Sequence, residues 1–490
     1  MSSATRISAA RIAGLVDGFD RDPAYAGLAT ALTHLVGDGR IGLGTRLPSE
    51  RELTDALGVS RTTVTRAYAV LRETGYAEAR VGAGTFTRVP GGLARAHDRA
   101  LMPRAGDHDA IDLNCSAASA PPGIAEAYAA AATDLPAYLG GHGYFPAGLP
   151  RLQAEVAAAY EARGLPTEPD QVLITPGALA ATAVVAQAYS APGDRVLVES
   201  PVYPNATLAI RHTGARLVPA AVDPGGWDLD AVAATARHTA PRLAYLIPDF
   251  QNPTGHLMTD DQRAQLATAL RRTRTRAVVD EAHQGLALDG QQMPAPFAAH
   301  APDTVTVGSA SKTFWGGLRL GWIRAPRGEE QRITEARVGL DLGAPVLEQL
   351  VLAHLLAAER DGAGAVVEAH RSRLREQRSA LIDAVQELLP SWRFHRPGGG
   401  LALWCQLPPD APGAGSSGTA LADEAERHGV IVAPGPTFAA EGGLDRFVRI
   451  PWTRPPHELR LAVERLAAAW AVVCSRRPGA TPARGRVMVA

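Results

Sequence analysis

In the N-terminal part of the chain, the spacing of apolar and polar positions predicts two short helices. Apolar side chains fall at helical spacing at Leu28, Leu32, Leu35 and Val36. The glycine-rich stretch 37–44 predicts the end of this helix. Ser49 and Glu52 then have the spacing of a capping box, so we expect a second helix to begin there.

A third helix and a glycine-tipped hairpin are predicted next. Ser60 is a suitable N-cap for a helix over residues 61–74, and Gly82 and Gly84 lie at the tip of the hairpin. Two helices, a glycine turn and a third helix make a helix-turn-helix. The start of the third helix would offer groups that suit phosphates and base edges, namely Ser60, Arg61, Thr62 and Thr63.

Residues 111–473 alternate short β-branched runs with stretches rich in alanine and leucine. This alternation predicts an α/β fold on a mainly parallel sheet. The predicted organisation is an N-terminal extension (1–24), a helix-turn-helix domain (25–90), a linker (91–110), the α/β domain (111–473) and a disordered tail (474–490).

Composition narrows the possible functions. The formal net charge is −1, so DNA binding depends on a local patch. Residues 25–90 contain eight arginines and six acidic residues, and a small helical domain with a solvated basic face stays an alternative. The cysteines are odd in number and widely spaced, at Cys115, Cys405 and Cys474. They predict a reducing cytoplasm with no disulfide and no metal site. Neither a membrane span nor a signal peptide is expected.

Lys312 is the single lysine of the chain, because every other basic side chain is arginine. Arginine cannot lose its proton and cannot form a Schiff base, so Lys312 is a candidate for amine chemistry. Hydroxyl groups and an arginine lie near it in sequence, at Ser309, Ser311 and Arg319. This set suits a phosphorylated aldehyde cofactor, with Ser309 and Arg319 on the phosphate. A surface lysine is the alternative.

Other strand ends carry further candidates. Asp280 ends an apolar strand and could pair with a protonated pyridine nitrogen, or it could cap the next helix. Asn252 lies in an Asn-Pro-Thr-Gly turn and could donate to a phenolic oxygen, while Tyr203 could stack on a flat ring. A strand-to-helix turn could cradle a phosphate with the amides of Gly177, Ala178 and Leu179.

The stretch RLPSERELTDALGVSRTTVTRAYAVLRETGYAEARVGAGTF resembles the winged-helix domain of GntR-type regulators. The resemblance implies contact with double-stranded operator DNA through Arg51, Ser60, Arg61, Thr62 and Thr63, and through Gly82 and Gly84 at the wing. Ala83 stands where serine or lysine is common, so one wing contact is expected to be missing.

The motifs GYFPAGLPRL, TPGALAA, ESPVYP, QNPTG, VVDEAH and SASKTFWGGLRLGW resemble those of fold-type-I aminotransferases, over about residues 111–470. The resemblance implies a small C-terminal α+β subdomain from about residue 330, and pyridoxal 5′-phosphate held as a Schiff base on Lys312. It places Asp280 on the pyridine nitrogen, Asn252 on the ring hydroxyl and Tyr203 on the ring face. The phosphate falls to Ala178, Leu179, Ser309 and Arg319, and Gly177 and Ser311 are further cofactor-binding residues. Tyr144 would reach the phosphate of the neighbouring subunit, and Arg449 would bind a substrate carboxylate.

Two positions depart from that family's pattern. His283 stands where a tyrosine usually bonds the cofactor oxygen; histidine can still donate there, and it would shift the pKa of the Schiff base. Leu179 lacks the polar side chain often found in the phosphate loop and offers only its amide. Both departures bear more on efficient transamination than on cofactor binding.

The whole chain resembles the MocR family of regulators, in which a GntR-type winged helix is fused to an aminotransferase-like domain. The resemblance implies a cytoplasmic, head-to-tail homodimer that binds operator DNA and senses pyridoxal phosphate or an amino-acid-like amine. The main alternative is a working aminotransferase with an accessory N-terminal domain. A third interpretation, a winged-helix repressor with an inactive effector domain, fits less well because Lys312, Asp280 and Arg449 are all present.

Overall fold

A computed structural model describes the chain in residues 6–16, 18–37, 41, 44–80, 82–88, 90, 110–362, 364–408 and 417–475. These residues form two compact units. The smaller unit holds the described residues up to 90 together with Ala120–Ala129, and the larger unit holds residues 110–119 and the described residues from 130 onward. The predicted linker lies outside the described residues except for Ala110, and so does the predicted tail except for Cys474 and Ser475.

The smaller unit contains helices and a hairpin where the sequence predicts them. In the described part they are α1 (Ala9–Leu15), α2 (Ala24–Gly37), α3 (Glu50–Leu57), α4 (Arg61–Glu73), β1 (Ala77–Arg80) and β2 (Gly84–Thr87), and the unit also includes the beginning of α5 (Ile124–Asp134). The amide of Glu52 donates to Ser49 Oγ at 3.2 Å, and the amide of Ser49 donates to Glu52 Oε2 at 2.8 Å. The amide of Thr63 donates to Ser60 Oγ at 3.1 Å. The predicted starts of α3 and α4 are therefore confirmed.

Two features of the smaller unit were not predicted. The segment treated as an N-terminal extension contains α1, whose Ile12 is fully buried in the same core as Leu28 and Val64. A seven-residue helix completes barely two turns, which is too short to give a clear periodic signal. Residues 45–47 also pair with β2, because the amide of Leu47 donates to the Thr85 carbonyl at 2.9 Å. The wing thus has a third strand-like edge.

A mixed, mostly parallel sheet forms the centre of the larger unit. The strands of this unit are β3 (Ile111–Asp112), β4 (Val172–Thr175), β5 (Arg195–Ser200), β6 (Arg216–Asp223), β7 (Gly226–Trp227), β8 (Leu243–Leu246), β9 (Arg276–Asp280), β10 (Val305–Ser309), β11 (Gly321–Arg324), β12 (Ala402–Gln406), β13 (Val430–Ile431), β14 (Ala433–Pro434) and β15 (Phe447–Pro451). The main sheet has the order β4-β11-β10-β9-β8-β5-β6-β7. The neighbouring pairs β10–β9, β9–β8, β8–β5 and β5–β6 are parallel. The pairs β4–β11, β11–β10 and β6–β7 are antiparallel. The predicted fold class is confirmed.

Helices cover both faces of this sheet. The remaining helices are α5 (Ile124–Asp134), α6 (Pro150–Ala162), α7 (Ala178–Tyr189), α8 (Pro204–Arg211), α9 (Leu229–Thr239), α10 (Asp260–Thr273), α11 (Phe297–His300), α12 (Glu330–Val338), α13 (Val346–Arg360), α14 (Val366–Leu388), α15 (Ser417–Arg427) and α16 (Pro456–Ser475). Val196 and Val198 of β5 face one core, with α7 and α8, while Leu197 faces the other, with α9 and α10. The alternation follows from the two-residue repeat of a strand.

The C-terminal part folds into the predicted α+β subdomain. Strands β12, β15 and β14 form an antiparallel sheet, and β13 pairs with β3 in parallel. Helices α14 and α16 pack on this subdomain's core, where Trp392 and Trp470 meet edge to face with centroids 5.8 Å apart. Helix α16 continues to Ser475, just past the predicted domain end. Among the described residues, no helix is long and apolar enough to cross a membrane.

Candidate functional site

A cavity of about 460 Å³ opens at the carboxyl ends of the parallel strands. Because β8, β9 and β10 run parallel, the loops that follow them meet at one edge of the sheet. The cavity is lined by many of the predicted cofactor residues: Ala178, Leu179, Tyr203, Asn252, Asp280, His283, Ser309, Ser311, Lys312 and Arg319. Its volume suits a small organic ligand. No cluster of metal-binding side chains occurs in the described parts of the chain.

Lys312 lies just beyond β10, with its amine inside the cavity. Its Nζ donates to the carbonyl of Ser116 at 3.0 Å. Burial lowers the pKa of Lys312 below its usual range, since desolvation disfavours the ammonium form. A lowered pKa increases the fraction of neutral amine, which is the nucleophilic form. The environment therefore suits amine chemistry at this side chain.

Asp280 ends β9 on the same side of the cavity. The hydroxyl of Tyr245 donates to its Oδ2 at 2.6 Å, and the amide of Ala282 donates to its Oδ1 at 2.8 Å. Burial raises the pKa of Asp280 above its ordinary value. A buried carboxylate held by two donors is oriented to receive a positively charged partner, such as a protonated ring nitrogen.

Arg449 on β15 is fully buried behind the cavity. Its Nη1 donates to Asn252 Oδ1 at 3.3 Å and its Nη2 donates to the Asn114 carbonyl at 2.6 Å. Its Nε is buried without a hydrogen-bond partner among the described residues. Burial lowers the pKa of Arg449 to about 10. The hydrogen-bond acceptors of this guanidinium among the described residues are neutral, and Asp112 acts on it without an ion pair, so a carboxylate-bearing ligand would satisfy it.

The turn before α7 has the form of a phosphate cradle. Gly177 has φ +92°, and a Cβ there would lie 3.1 Å from Nη2 of Arg319. Gly321 lets β11 approach closely, because its Cβ would lie 2.5 Å from the amide nitrogen of Ala178. The glycines thus leave room for the Arg319 guanidinium beside the first amides of α7. A helix N-terminus next to an arginine is a favourable place for a phosphate.

His283 lines the cavity with a neutral ring. Its Nδ1 lies 3.0 Å from the carbonyl of Phe250. A carbonyl only accepts, so Nδ1 carries the proton. Burial lowers the pKa of His283 to about 4, which leaves the ring neutral and Nε2 unprotonated at pH 7. In this rotamer and tautomer the free ring nitrogen is an acceptor, and the donor role of His283 toward a cofactor oxygen stays a prediction.

Some cavity residues were missed, and some predicted residues lie elsewhere. The cavity is also lined by residues that were not predicted from the sequence: Ser116, Ala117, Thr182, Asn205, Ile247, Ala282 and Gly316. Ser116 carried no motif, although its Oγ is buried without a partner in the described structure. Asn205 donates to the Tyr203 hydroxyl at 3.0 Å and lies only two residues beyond it. Tyr144, by contrast, is 58% exposed and does not line the cavity.

A buried polar network supports the loops that carry Tyr203 and Asn252. Gln251 donates from Nε2 to Glu199 Oε2 at 3.1 Å and to the carbonyl of Pro201 at 2.7 Å. Trp227 donates to the other oxygen of Glu199 at 2.8 Å. Burial raises the pKa of Glu199 to about 7. No sequence motif marks this carboxylate.

The predicted DNA-contacting residues lie on the surface of the smaller unit. Arg61 begins α4 with a side chain that is 78% exposed, and its Nε is 3.7 Å from Glu50 Oε2. Arg51 and Thr62 are exposed as well. Thr63 is only half-exposed, and its hydroxyl shares a 2.8 Å hydrogen bond with that of Ser60.

The wing and the packing beneath α4 complete this surface. Gly82 and Gly84 have φ of +71° and +109°, which other residues rarely adopt. The Tyr68 hydroxyl donates to the carbonyl of Pro48 at 2.9 Å and fixes α4 against the start of α3. The start of α4 and the wing therefore remain available on a rigid support.

The sequence model of aminotransferase class I and II matches residues 116–466. The chain belongs to this family. The model of bacterial regulatory proteins of the gntR family matches residues 24–87. The predicted pairing of a GntR domain with an aminotransferase domain is confirmed.

Relatives share one or both parts. An uncharacterized HTH-type transcriptional regulator of Escherichia coli (strain K12), YdcR, is 27% identical over 87% of this chain and 94% of its own length. The probable rhizopine catabolism regulatory protein MocR of Rhizobium meliloti is 30% identical over 63% of this chain and 67% of its own. The crystal structure of LysN, an alpha-aminoadipate aminotransferase from Thermus thermophilus complexed with N-(5′-phosphopyridoxyl)-L-leucine, has a TM-score of 0.67 and 29% identity. That comparison covers 74% of this chain and 92% of LysN.

Proposed function

We propose that this chain is a DNA-binding transcription regulator of the MocR type that depends on pyridoxal 5′-phosphate. One observation carries the proposal: an exposed GntR-type recognition surface and a buried lysine pocket of the aminotransferase type occur in the same chain. The YdcR and MocR relatives, which are named as regulators, support it. A cytoplasmic location is part of the same proposal.

The pocket residues fit pyridoxal phosphate. Lys312 offers the amine, Asp280 a carboxylate for the ring nitrogen, and Tyr203 a ring face. Arg319 and the first amides of α7 offer the phosphate site, and the orphaned Ser116 Oγ offers a further polar group. When bound, the cofactor would supply an aldehyde that attaches an amine covalently and a ring that withdraws electrons. His283 would face it with an acceptor nitrogen and Asn252 with an amide.

The effector is proposed to be the cofactor itself or an amine with a carboxylate. Arg449 supports the carboxylate, because it is a buried cation whose hydrogen-bond acceptors among the described residues are neutral. The LysN ligand, a phosphopyridoxyl group joined to leucine, has this chemistry. We also propose a head-to-tail homodimer, in which the exposed Tyr144 contacts the phosphate of the partner subunit.

Regulation would operate by a change in the larger unit on ligand binding that alters DNA binding by the smaller one. The predicted linker, about 20 residues, reaches roughly 70 Å when extended, which is enough to address two DNA half-sites. An active aminotransferase remains the second candidate. It is favoured by the presence of Lys312, Asp280 and Arg449 in one place and by the likeness to LysN.

The deciding experiment is a titration of the purified chain into duplex DNA from upstream of its own gene, at fixed salt. A regulator binds that DNA at least about 10³-fold more tightly than a scrambled duplex of equal length. A parallel assay follows amino-group transfer from amino acids to keto acids. Rapid transfer without specific DNA binding would overturn the regulator proposal in favour of the enzyme.

A further inference from the structure

A second group of arginines lies at the amino ends of the parallel strands, whereas the cofactor cavity lies at their carboxyl ends. Arg276 begins β9, whose other end carries Asp280, so the two sites are about 13 Å apart along the strand. Arg242 immediately precedes β8, and Arg274 lies in the turn before β9. A cavity of about 320 Å³ is lined by Arg242, Arg271, Arg274, Arg276 and Arg332.

Few acidic groups offset these arginines. Asp303 also lines the cavity, and Glu329 accepts from Arg276 Nη2 at 2.9 Å and lies 4.0 Å from Arg332. The remaining guanidinium contacts are to neutral groups, such as Arg271 to the carbonyl of His300 at 2.7 Å. Arg276 and Arg332 also lie over the Tyr189 ring, 4.5 and 4.7 Å from its centroid. The chain as a whole has a net charge of −1, so this positive excess is local.

Two guanidinium nitrogens have unused donors. Nη1 of Arg276 and Nη1 of Arg324 are buried without a hydrogen-bond partner in the described structure. Arg324 is only 5% exposed, and its other nitrogens donate to Thr167 Oγ1 at 2.8 Å and the Pro166 carbonyl at 3.2 Å. Buried donors left unpaired are costly, and guanidinium groups prefer phosphate or carboxylate oxygens.

A larger cavity of about 570 Å³ adjoins the first one, because both are lined by Arg276 and Asp303. Arg324 contributes to it, and much of the remaining wall is apolar: Leu165, Pro166, Ala298, Ala299, Pro302 and Pro326. A polar compartment beside an apolar one suits a ligand with a phosphate at one end and an organic group at the other.

We propose that these adjoining cavities form a second ligand site, separate from the cofactor pocket, that binds a phosphorylated small organic molecule. The arginines at the amino ends of β8 and β9 hold the phosphate, and the larger cavity holds the organic group. Such a site would let the larger unit respond to a second metabolite. It does not depend on the function proposed for the cofactor pocket.

The test uses the full-length, cofactor-saturated protein, so that the phosphate position of the cofactor pocket is already filled. Isothermal titration at fixed ionic strength measures the binding of inorganic pyrophosphate and of adenosine 5′-monophosphate. We expect saturable binding of both. The double variant Arg242→Gln/Arg274→Asn removes two exposed arginines, and asparagine tolerates the φ of +57° at position 274. It should weaken both affinities by about tenfold or more.

Arg393→Gln is the matched control, because it removes an exposed arginine of the small subdomain and should leave both affinities unchanged. The cofactor absorbance of each variant reports that the larger unit is folded. The proposal would be overturned if neither probe bound saturably. It would also be overturned if the control variant lost as much affinity for the probes as the double variant. A double variant that loses affinity only for duplex DNA would also overturn it, since the arginines would then be DNA contacts.

Discussion

Two arginines, one in each unit, have opposite surroundings. Arg61 in the smaller unit is 78% exposed and lies 3.7 Å from a carboxylate, whereas Arg449 in the larger unit is fully buried and donates to neutral acceptors. An exposed arginine keeps its hydration until it meets a DNA phosphate, so its contribution depends on salt. A buried arginine has already lost its hydration, so it favours a ligand that supplies a carboxylate.

The same contrast appears in the titrating groups. Burial lowers the pKa of Lys312, raises that of Asp280 and lowers that of His283 to about 4. All three shifts favour the uncharged form, because desolvation disfavours charge. Without a ligand, the pocket therefore lacks partners that would stabilise charge on these side chains. A ligand with a phosphate and a ring nitrogen would supply such partners. The predicted DNA surface comes from one short stretch of sequence, from Arg51 to Gly84, whereas the pocket is assembled from distant segments.

The largest expected effect is the complete loss of the cofactor absorbance of the larger unit. Lys312→Arg keeps the positive charge but removes the only amine side chain that can form a Schiff base. The visible absorbance of the cofactor-loaded protein should disappear. Circular dichroism would show that the variant is folded, and Arg393→Gln should keep the absorbance. Visible absorbance that survives in Lys312→Arg would refute the assignment of Lys312.

A second prediction concerns the buried network under the pocket. The pKa of Glu199 is raised by burial to about 7 from 4.5, so the folded state binds its proton more tightly than the unfolded state does. The free energy of unfolding should therefore fall as the pH rises from 4.5 to 7, and the contribution of Glu199 should be about 3 kcal/mol.

Urea denaturation of the cofactor-free protein between pH 4.5 and 8 measures this fall. Glu199→Gln keeps an acceptor oxygen for Trp227 and should flatten the pH dependence. Part of the slope should remain, because burial also raises the pKa of Asp280. An unchanged slope in Glu199→Gln would contradict the assignment to this carboxylate.

On the DNA side, Arg61→Ala should weaken specific operator binding by about 10- to 100-fold, because one arginine contact to a base edge or phosphate is lost. The cofactor absorbance should not change. Arg72→Ala removes an exposed arginine from the last turn of the same helix and is the matched control. Anisotropy titrations with labelled operator compare the two variants. Equal weakening in both would mean that the recognition surface is misplaced.

The smallest effect tests the scaffold of the smaller unit. Ser49→Ala removes the hydroxyl that caps α3 and should lower the free energy of unfolding of this unit by about 1 kcal/mol. Ser49→Thr keeps a capping hydroxyl and should lose much less. Neither change should affect the cofactor absorbance. Urea denaturation of the full chain, followed by amide hydrogen exchange in α3, would measure the difference.

The sequence was most informative where the signal is local. The capping residues Ser49 and Ser60 predicted the starts of α3 and α4, and the uniqueness of Lys312 drew attention to the pocket. The partners of these residues were not predictable in the same way. Lys312 donates to the carbonyl of Ser116, which is 196 residues away in the chain. No short-range pattern encodes such a contact.

His283 illustrates why the chemistry of a single position is hard to predict from the sequence. Its Nδ1 donates a hydrogen bond to the carbonyl of Phe250, 33 residues earlier, so this donor is not available to a ligand. Only the folded loop reveals that competition. Similarly, Glu199 and Tyr245 looked like ordinary strand residues until the sheet brought them beside Gln251 and Asp280.

We propose that the pocket around Lys312 controls DNA binding by the smaller unit. This coupling is tested by the operator affinity of the wild-type chain and of Lys312→Ala, each with and without saturating pyridoxal phosphate, at one salt concentration. We expect the cofactor to change wild-type affinity by about fivefold or more and to leave the affinity of the variant unchanged. Identical operator affinities in all four titrations would contradict it.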